Sequence, residues 1–432
     1  MLIEFRVGNF KSFKDEQVFS MVASSDNSLL ENIQSPPSLG KQKLVSSAVI
    51  YGHSAAGKSN FIEAIRFAED FITNSISLDS ESEINVQPFL LNNDSTIASS
   101  LFEFTFLHQN TRYQYGFTVD RKRVYEEWLI AYPKGLPQSW FERKPKPDSE
   151  DSEWYFGPRL SGEKVKLQEL TRKDALFLSV AVAFNNKQLL EVYRWFSAQL
   201  RFFNATSRNP FSEMFMATKI KEDGNYKEKV RTLLQKADLG IIDFMVEEKQ
   251  RDNPIPSDMP AEFQRVLKEL NSLSSSQTRT EVQLKHKKES SNDGVFFPWN
   301  YESLGTRKLF NIAGPLFDTL EKGYILVVDE LDTSLHPVLV KALIEMFHNP
   351  EINQKGAQLI FNTHNTILLD TSLFRRDQIW FVEKDNSGVS HLYPLLDFRP
   401  RKDEALQKGY LQGRYGAIPI IDGLAEVATT SG

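Results

Sequence analysis

The stretch YGHSAAGKSN at 51–60 ends one apolar run, SAVIY (47–51), and leads into an apolar-faced segment, FIEAIRFAEDFI (61–72). GHSAAGKS fits the pattern G-x-x-x-x-G-K-S, and its flanks read as the buried strand and the helix that this pattern requires on either side. Gly52 and Gly57 let the backbone curl. The loop Gly52, His53, Ser54, Ala55, Ala56, Gly57, Lys58, Ser59 and Asn60 can then turn its N–H groups toward a phosphate at a helix N-terminus. Lys58 is placed to reach the β and γ oxygens, and Ser59 to offer a hydroxyl to Mg2+. A strand, loop and helix in this order commit the chain to an α/β fold built on parallel strands.

The partner of such a loop is an acidic residue at the end of a second buried strand. YILVVDE (324–330) supplies it, with Asp329 to hold Mg2+ through water and Glu330 to orient and deprotonate an attacking water. After it comes LDTSLHP (331–337), where Asp332 serves either a subunit junction or a helix N-cap, roles that can coexist. QLIFNTH (358–364) ends a strand in Thr363 and His364, and a histidine there can contact a γ-phosphate. ESLGTRKLF (302–310) sets Ser303 and Gly305 in a turn before a helix. That turn combines a hydroxyl, free N–H groups and a helix dipole, and is either an anion site or a plain cap.

Strand signals LIEFRV and QVFSMVA open the chain, and LFEFTFLHQNTRYQYGFTVD reads as an antiparallel hairpin across an HQNT turn, followed by the strand VYEEWLIAY. From 131 to 165 Pro, Gly and charge dominate, so a loop-rich connection is expected, with a short strand near Trp154–Phe156. Helical periodicity follows at 166–183, 186–202, 213–222, 226–237 and 261–273, ending in the low-complexity NSLSSSQT. Beyond a strand at VQLKHKK, an α/β alternation returns: helix 304–321, strand YILVV, helix 338–347, then strands QLIFN and QIWFVEK. Three parts result: 1–160, the first part of a nucleotide-binding head with an antiparallel sheet; 161–278, a helical insertion; and 279–432, the rest of the head.

Composition excludes several function classes. With no cysteine among 432 residues, disulfides and Cys-ligated zinc are ruled out. The seven histidines are scattered (His53, His108, His286, His336, His348, His364, His391). A formal net charge of −6 argues against coating nucleic acid, and the basic runs KHKK (285–288) and RR (375–376) read as solvated surface. The opening MLIEFRVGNFKSF carries Glu4, Arg6 and Lys11 where a signal peptide needs an apolar core, and no stretch reaches the ~18 apolar residues of a membrane span. A cytoplasmic protein without membrane contact is expected.

The order of phosphate loop, Ser-x-Gly turn, acidic pair with LDTSLHP and strand-end histidine resembles the ATP-binding-cassette (ABC) head of SMC and RecF-type proteins. NFKSF (9–13) resembles the opening strand and turn of those heads. More narrowly, ESLGTRKL, VVDELDTSLHP, RRDQIWFVEK and YLQGRYGAIP (410–419) resemble the RloA and AbiL-like abortive-infection ATPases of bacterial antiphage systems, relatives of the ATPase half of overcoming-lysogenisation-defect proteins. The match covers both ends of the chain and is loose in the middle. ESLGT lacks the leading leucine and the glutamine of the transporter signature LSGGQ, and Ser54 replaces a common asparagine.

The resemblance implies an α/β fold: an SMC/RecF-like ABC-type ATPase head with a mainly parallel core sheet, an antiparallel β lobe and an inserted helical subdomain. It implies ATP and Mg2+ as cofactors. Lys58, Ser59, Asp329, Glu330 and His364 would act within one protomer, while Ser303 and Gly305 cap the γ-phosphate held by a second. A homodimer or higher homo-oligomer follows. Gln87 in NVQPFL is the candidate for the glutamine loop. Two functions are in play. One is a regulatory ATPase of an antiphage system that answers a phage-derived trigger and controls an effector encoded nearby, a Toprim-like or HNH nuclease. The other is a RecF/SMC-like repair ATPase acting directly on DNA. The residues after His364 carry no clustered acidic motif beyond FVEKD (381–385), so no Toprim module like that of the overcoming-lysogenisation-defect proteins is expected in this sequence, and the first function is preferred.

Overall fold

The computed structural model describes residues 1–77, 83–147, 149, 151–204, 210–237, 240–250, 278–289 and 293–419. They fall into two compact units. The first comprises Met1–Ala205, Asp318–Asp332 and Pro337–Gly432, and the second Thr206–Phe317 and Thr333–His336. This division departs from the three parts read in the sequence: residues 161–204 lie in the first unit and the described residues of 279–317 in the second.

The core sheet of the first unit has six strands in the order Leu200–Asn204, Ile325–Asp329, Gln358–Asn362, Ser47–Tyr51, Ile379–Lys384 and Ser390–Pro394. The first five run parallel and the last pairs antiparallel. Strands covered on both faces read as continuous apolar runs rather than alternating ones. Accordingly every residue of SAVIY and QLIFN is buried, as are the first four of ILVVD. Because these strands are parallel, the segments that follow Tyr51, Asp329 and Asn362 all leave at the same edge, the carboxyl edge where ligands bind in open α/β sheets.

A second, antiparallel sheet of seven strands runs in the order Ser152–Phe156, Gln138–Pro145, Val124–Tyr132, Thr111–Val119, Ser100–His108, Leu2–Gly8 and Gln17–Ser20. Phe102, Phe104 and Phe106 are fully buried. Phe104 packs on Phe5 at 4.6 Å, and Phe106 stacks on Trp195 at 4.0 Å. Contacts of this kind add about 1 kcal/mol each beyond the area they bury. Glu127, also fully buried, accepts hydrogen bonds from Tyr115 Oη and from the backbone N–H of Phe177 and Leu178. A strand carboxylate thus satisfies the first turn of the helix Phe177–Ala183, which has no side-chain cap of its own.

Three elements of the first unit differ from the sequence reading. The loop-rich stretch 131–165 contains the strand Gln138–Pro145, paired on both sides. Its charges hid it, since Arg143 is 2% exposed and donates to Ser152 Oγ and to the carbonyls of Ala175 and Lys173. The helix expected at 166–183 is two helices, Lys164–Leu170 and Phe177–Ala183. The helix expected at 186–202 ends at Arg194. A π-helical turn, Trp195–Gln199, then leads into the strand Leu200–Asn204 beside Ile325–Asp329. A five-residue segment such as LRFFN suits either period, and here its neighbour in the sheet decides.

The second unit holds the helices Pro210–Glu222 and Gly224–Lys236, matching two expected ones, and a three-stranded antiparallel sheet. The strand Ile241–Gln250 in that sheet was not foreseen, and it pairs with the expected VQLKHKK strand. The inserted subdomain therefore combines helices with a small sheet. The helix read at 261–273 lies outside the described residues. Helix Leu304–Lys322 begins in this unit, and its residues from Asp318 on belong to the first.

The RR pair at 375–376 is not solvated surface. Arg375 and Asp377 form an ion pair with side chains 0% and 1% exposed, and Arg376 binds Asp26 at 2.5 Å. Both arginines tie the loop at 24–28 to the start of strand Ile379–Lys384. Among the described residues no helix is long and apolar enough to cross a membrane.

Candidate nucleotide-binding site

The loop between strand Ser47–Tyr51 and helix Lys58–Asn74 turns through two left-handed residues, Ala55 (φ 62°) and Gly57 (φ 117°). Gly57 could not carry a side chain: a Cβ there would sit 2.5 Å from Ser390 Oγ and 2.9 Å from Ser12 Oγ. At Gly52 it would sit 2.4 Å from the carbonyl oxygen of Val382. The same neighbours clamp the loop. Ser390 Oγ donates to the Ala56 carbonyl at 2.6 Å, and Asn60 Nδ2 donates to Ser12 Oγ at 2.7 Å. The helix starts with no side-chain cap, which leaves its N-terminus suited to an anion.

Lys58 is 5% exposed, and its Nζ donates to the carbonyls of Gly52 (2.9 Å) and His53 (3.1 Å). Burial pushes its ammonium down to about 8, against the pull of Glu330, Asp329 and Asp332. Ser59 Oγ donates to Asp329 Oδ1 at 3.0 Å. The same oxygen accepts from Asn362 Nδ2 at 2.6 Å, while Asn362 Oδ1 accepts the Glu330 N–H at 2.6 Å. His364 follows the neighbouring strand. Burial, then the charge of Lys58, lowers its pKa, while Asp332 and Glu330 raise it. The structure thus brings the loop 52–60, Asp329, Glu330, Asp332 and His364 together at one sheet edge.

Ser303 and Gly305 lie in the second unit. Ser303 Oγ accepts the Thr306 N–H at 3.1 Å, so it caps helix Leu304–Lys322. A Cβ on Gly305 would meet the carbonyl oxygen of Ser334 at 2.5 Å. Gln87 is exposed, and its carbonyl accepts the Lys11 N–H at 2.8 Å. Three residues of the site escaped the sequence reading: Ser12, Ser390 and Asn362. Only Asn362 left a signal, a polar residue closing an otherwise apolar strand end.

These groups fit a nucleotide with its cation. Among the described residues no group of three or more His, Asp or Glu side chains forms a metal cage. A hydroxyl and a carboxylate 3.0 Å apart are the sparse protein donor set that Mg2+ uses when phosphate and water complete its shell. A family model described as "AAA domain, putative AbiEii toxin, Type IV TA system" matches residues 47–370, from the strand before the loop to beyond His364. The chain belongs to this family. No curated protein matches this AAA-domain chain. Among solved structures it is similar to the SMC head domain from Thermotoga maritima, at 14% identity and a TM-score of 0.39, covering 91% of this chain and 98% of that one. It is also similar to an SmcHead bound to the C-winged helix domain of ScpA (13% identity, TM-score 0.39, 91% and 96% covered). A third is the recombination mediator protein RecF with ATP (15% identity, TM-score 0.32, 91% and 97% covered).

Proposed function

We propose that this AAA-domain protein is the ATP-hydrolysing regulatory subunit of a bacterial abortive-infection system. It works in the cytoplasm as a dimer or larger homo-oligomer and controls a partner effector, a Toprim-like or HNH nuclease, in response to a phage-derived trigger. The observation that carries the reading is the meeting of Ser59, Asp329, Glu330 and Lys58 at one sheet edge, in a family whose description names a toxin of a toxin–antitoxin system.

In this reading the loop N–H groups and Lys58 hold the phosphates, Ser59 and Asp329 hold the cation, and His364 contacts the γ-phosphate. Bound Mg2+ would neutralise charge developing on the phosphate oxygens. Glu330 accepts a proton from the attacking water. Asp332 lines the junction between protomers, and Ser303 with Gly305 caps the nucleotide of the partner subunit. Hydrolysis can shift a bound effector only by its differential affinity for the closed and open states.

Purified alone with ATP, Mg2+ and DNA or RNA, the chain should hydrolyse ATP slowly and leave nucleic acid intact. Expressed with its neighbouring gene it should restrict phage, and Lys58→Ala should remove that protection. Metal-dependent cleavage by the isolated chain, insensitive to loss of the neighbour, would overturn the regulatory role in favour of an enzyme acting directly on DNA.

A further inference from the structure

We infer that Asn362 is a positioning residue for the hydrolysis proposed above, on which this inference rests: one buried amide sets the geometry of both carboxylates. Asn362 ends the strand Gln358–Asn362 and is 0% exposed. Its Nδ2 donates to Asp329 Oδ1 and its Oδ1 accepts the Glu330 N–H, each at 2.6 Å. Its carbonyl accepts the Leu331 N–H at 3.3 Å. Three consecutive residues, 329 to 331, are therefore each tied to this one asparagine.

What the amide holds is an uncommon backbone. Glu330 has φ 56°, the left-handed region that a non-glycine residue enters only with strain and keeps only when its surroundings over-determine it. This turn ends the extended run of Ile325–Asp329, so Glu330 leaves the sheet rather than continuing the strand. A single carboxamide suits the task because it donates and accepts at once. An aspartate in its place could only accept, and a leucine of similar volume could do neither.

Second-layer groups that orient metal ligands and reactive side chains cost about 10- to 100-fold in activity or metal affinity when removed. The test compares wild type with Asn362→Leu and Asn362→Asp in four measurements: kcat, affinity for a fluorescent ATP analogue in EDTA, the Mg2+ concentration giving half-maximal turnover, and melting temperature. Asn362→Leu should lower kcat about 10- to 100-fold while leaving nucleotide affinity in EDTA unchanged. Asn362→Asp keeps the acceptor for the Glu330 N–H and loses the donor to Asp329, so its main effect should be a shifted Mg2+ requirement. If the leucine variant does not fold, the aspartate variant carries the test. Unchanged kcat and Mg2+ dependence, or a parallel fall of kcat, affinity and melting temperature, would reduce Asn362 to a structural residue. Wild type that binds ATP without hydrolysing it removes the proposed function and this inference together. Hydrolysing wild type with fully active variants removes this inference alone.

Discussion

Ser59 and Asp329 stand 270 positions apart in sequence, yet the Ser59 hydroxyl donates to the Asp329 carboxylate at 3.0 Å. The strand leading into the Ser59 loop, Ser47–Tyr51, does not pair with Ile325–Asp329, because Gln358–Asn362 lies between them in the sheet. The bond spans that strand's end, where Asn362 also reaches Asp329. Parallel pairing makes this possible, since it delivers three distant segments to one edge with their polar ends exposed to each other.

Lys58→Ala should abolish nucleotide binding, because it removes the buried cation from the loop. Glu330→Gln should keep binding and stop turnover, because a neutral amide does not take up the water's proton. Equilibrium binding of an ATP analogue and phosphate release on both variants check the pair. Equal turnover by wild type and Glu330→Gln would take Glu330 out of the reaction.

The shared-site reading predicts complementation. Ser303→Arg chains and Lys58→Ala chains, each inactive alone, should recover up to one working site per heterodimer when mixed. ATPase assays on tagged heterodimers decide it. No recovery, with the heterodimers shown to form, would mean that each protomer hydrolyses ATP unaided.

His348 gives a pH dependence of stability. It is 5% exposed, with Nε2 2.7 Å from Ser47 Oγ and 3.4 Å from Gln378 Nε2, and burial pushes its pKa down to about 3. Below its ordinary value of about 6.5 the unfolded chain binds a proton that the folded chain refuses. Stability should therefore be lost as pH falls from 6.5 toward 3, by at most about 1.4 kcal/mol for each pH unit. Urea midpoints at neutral and mildly acidic pH should drop further for wild type than for His348→Gln. Equal drops would show that the buried imidazole does not govern the acid side.

Much of the site was legible because its motifs are local. Each pairs a run of buried strand residues with a fixed set of polar residues at its end, and SAVIY, YILVV and QLIFN became the expected strands. Legibility failed where a segment draws its structure from a distant partner. Gln138–Pro145 is a strand although its charges suggested a loop, since Arg143 finds three acceptors only after folding. The RR pair read as surface because charge alone predicts exposure, whereas Asp377 makes burial tolerable for Arg375 and Asp26 holds the half-buried Arg376.

By itself the sequence determined the class of fold and the order along the chain of a glycine-rich loop, an acidic pair and a histidine, each at the end of an apolar strand. These rest on periodicity and spacing, which are properties of neighbouring residues. Tertiary structure alone decided that Leu200–Asn204 joins the core sheet, that Ser12 and Ser390 clamp the loop, and that Asn362 binds both Asp329 and Glu330. A hydrogen bond or a strand pairing between residues hundreds of positions apart depends on which chain segments pack side by side, and no local pattern encodes that.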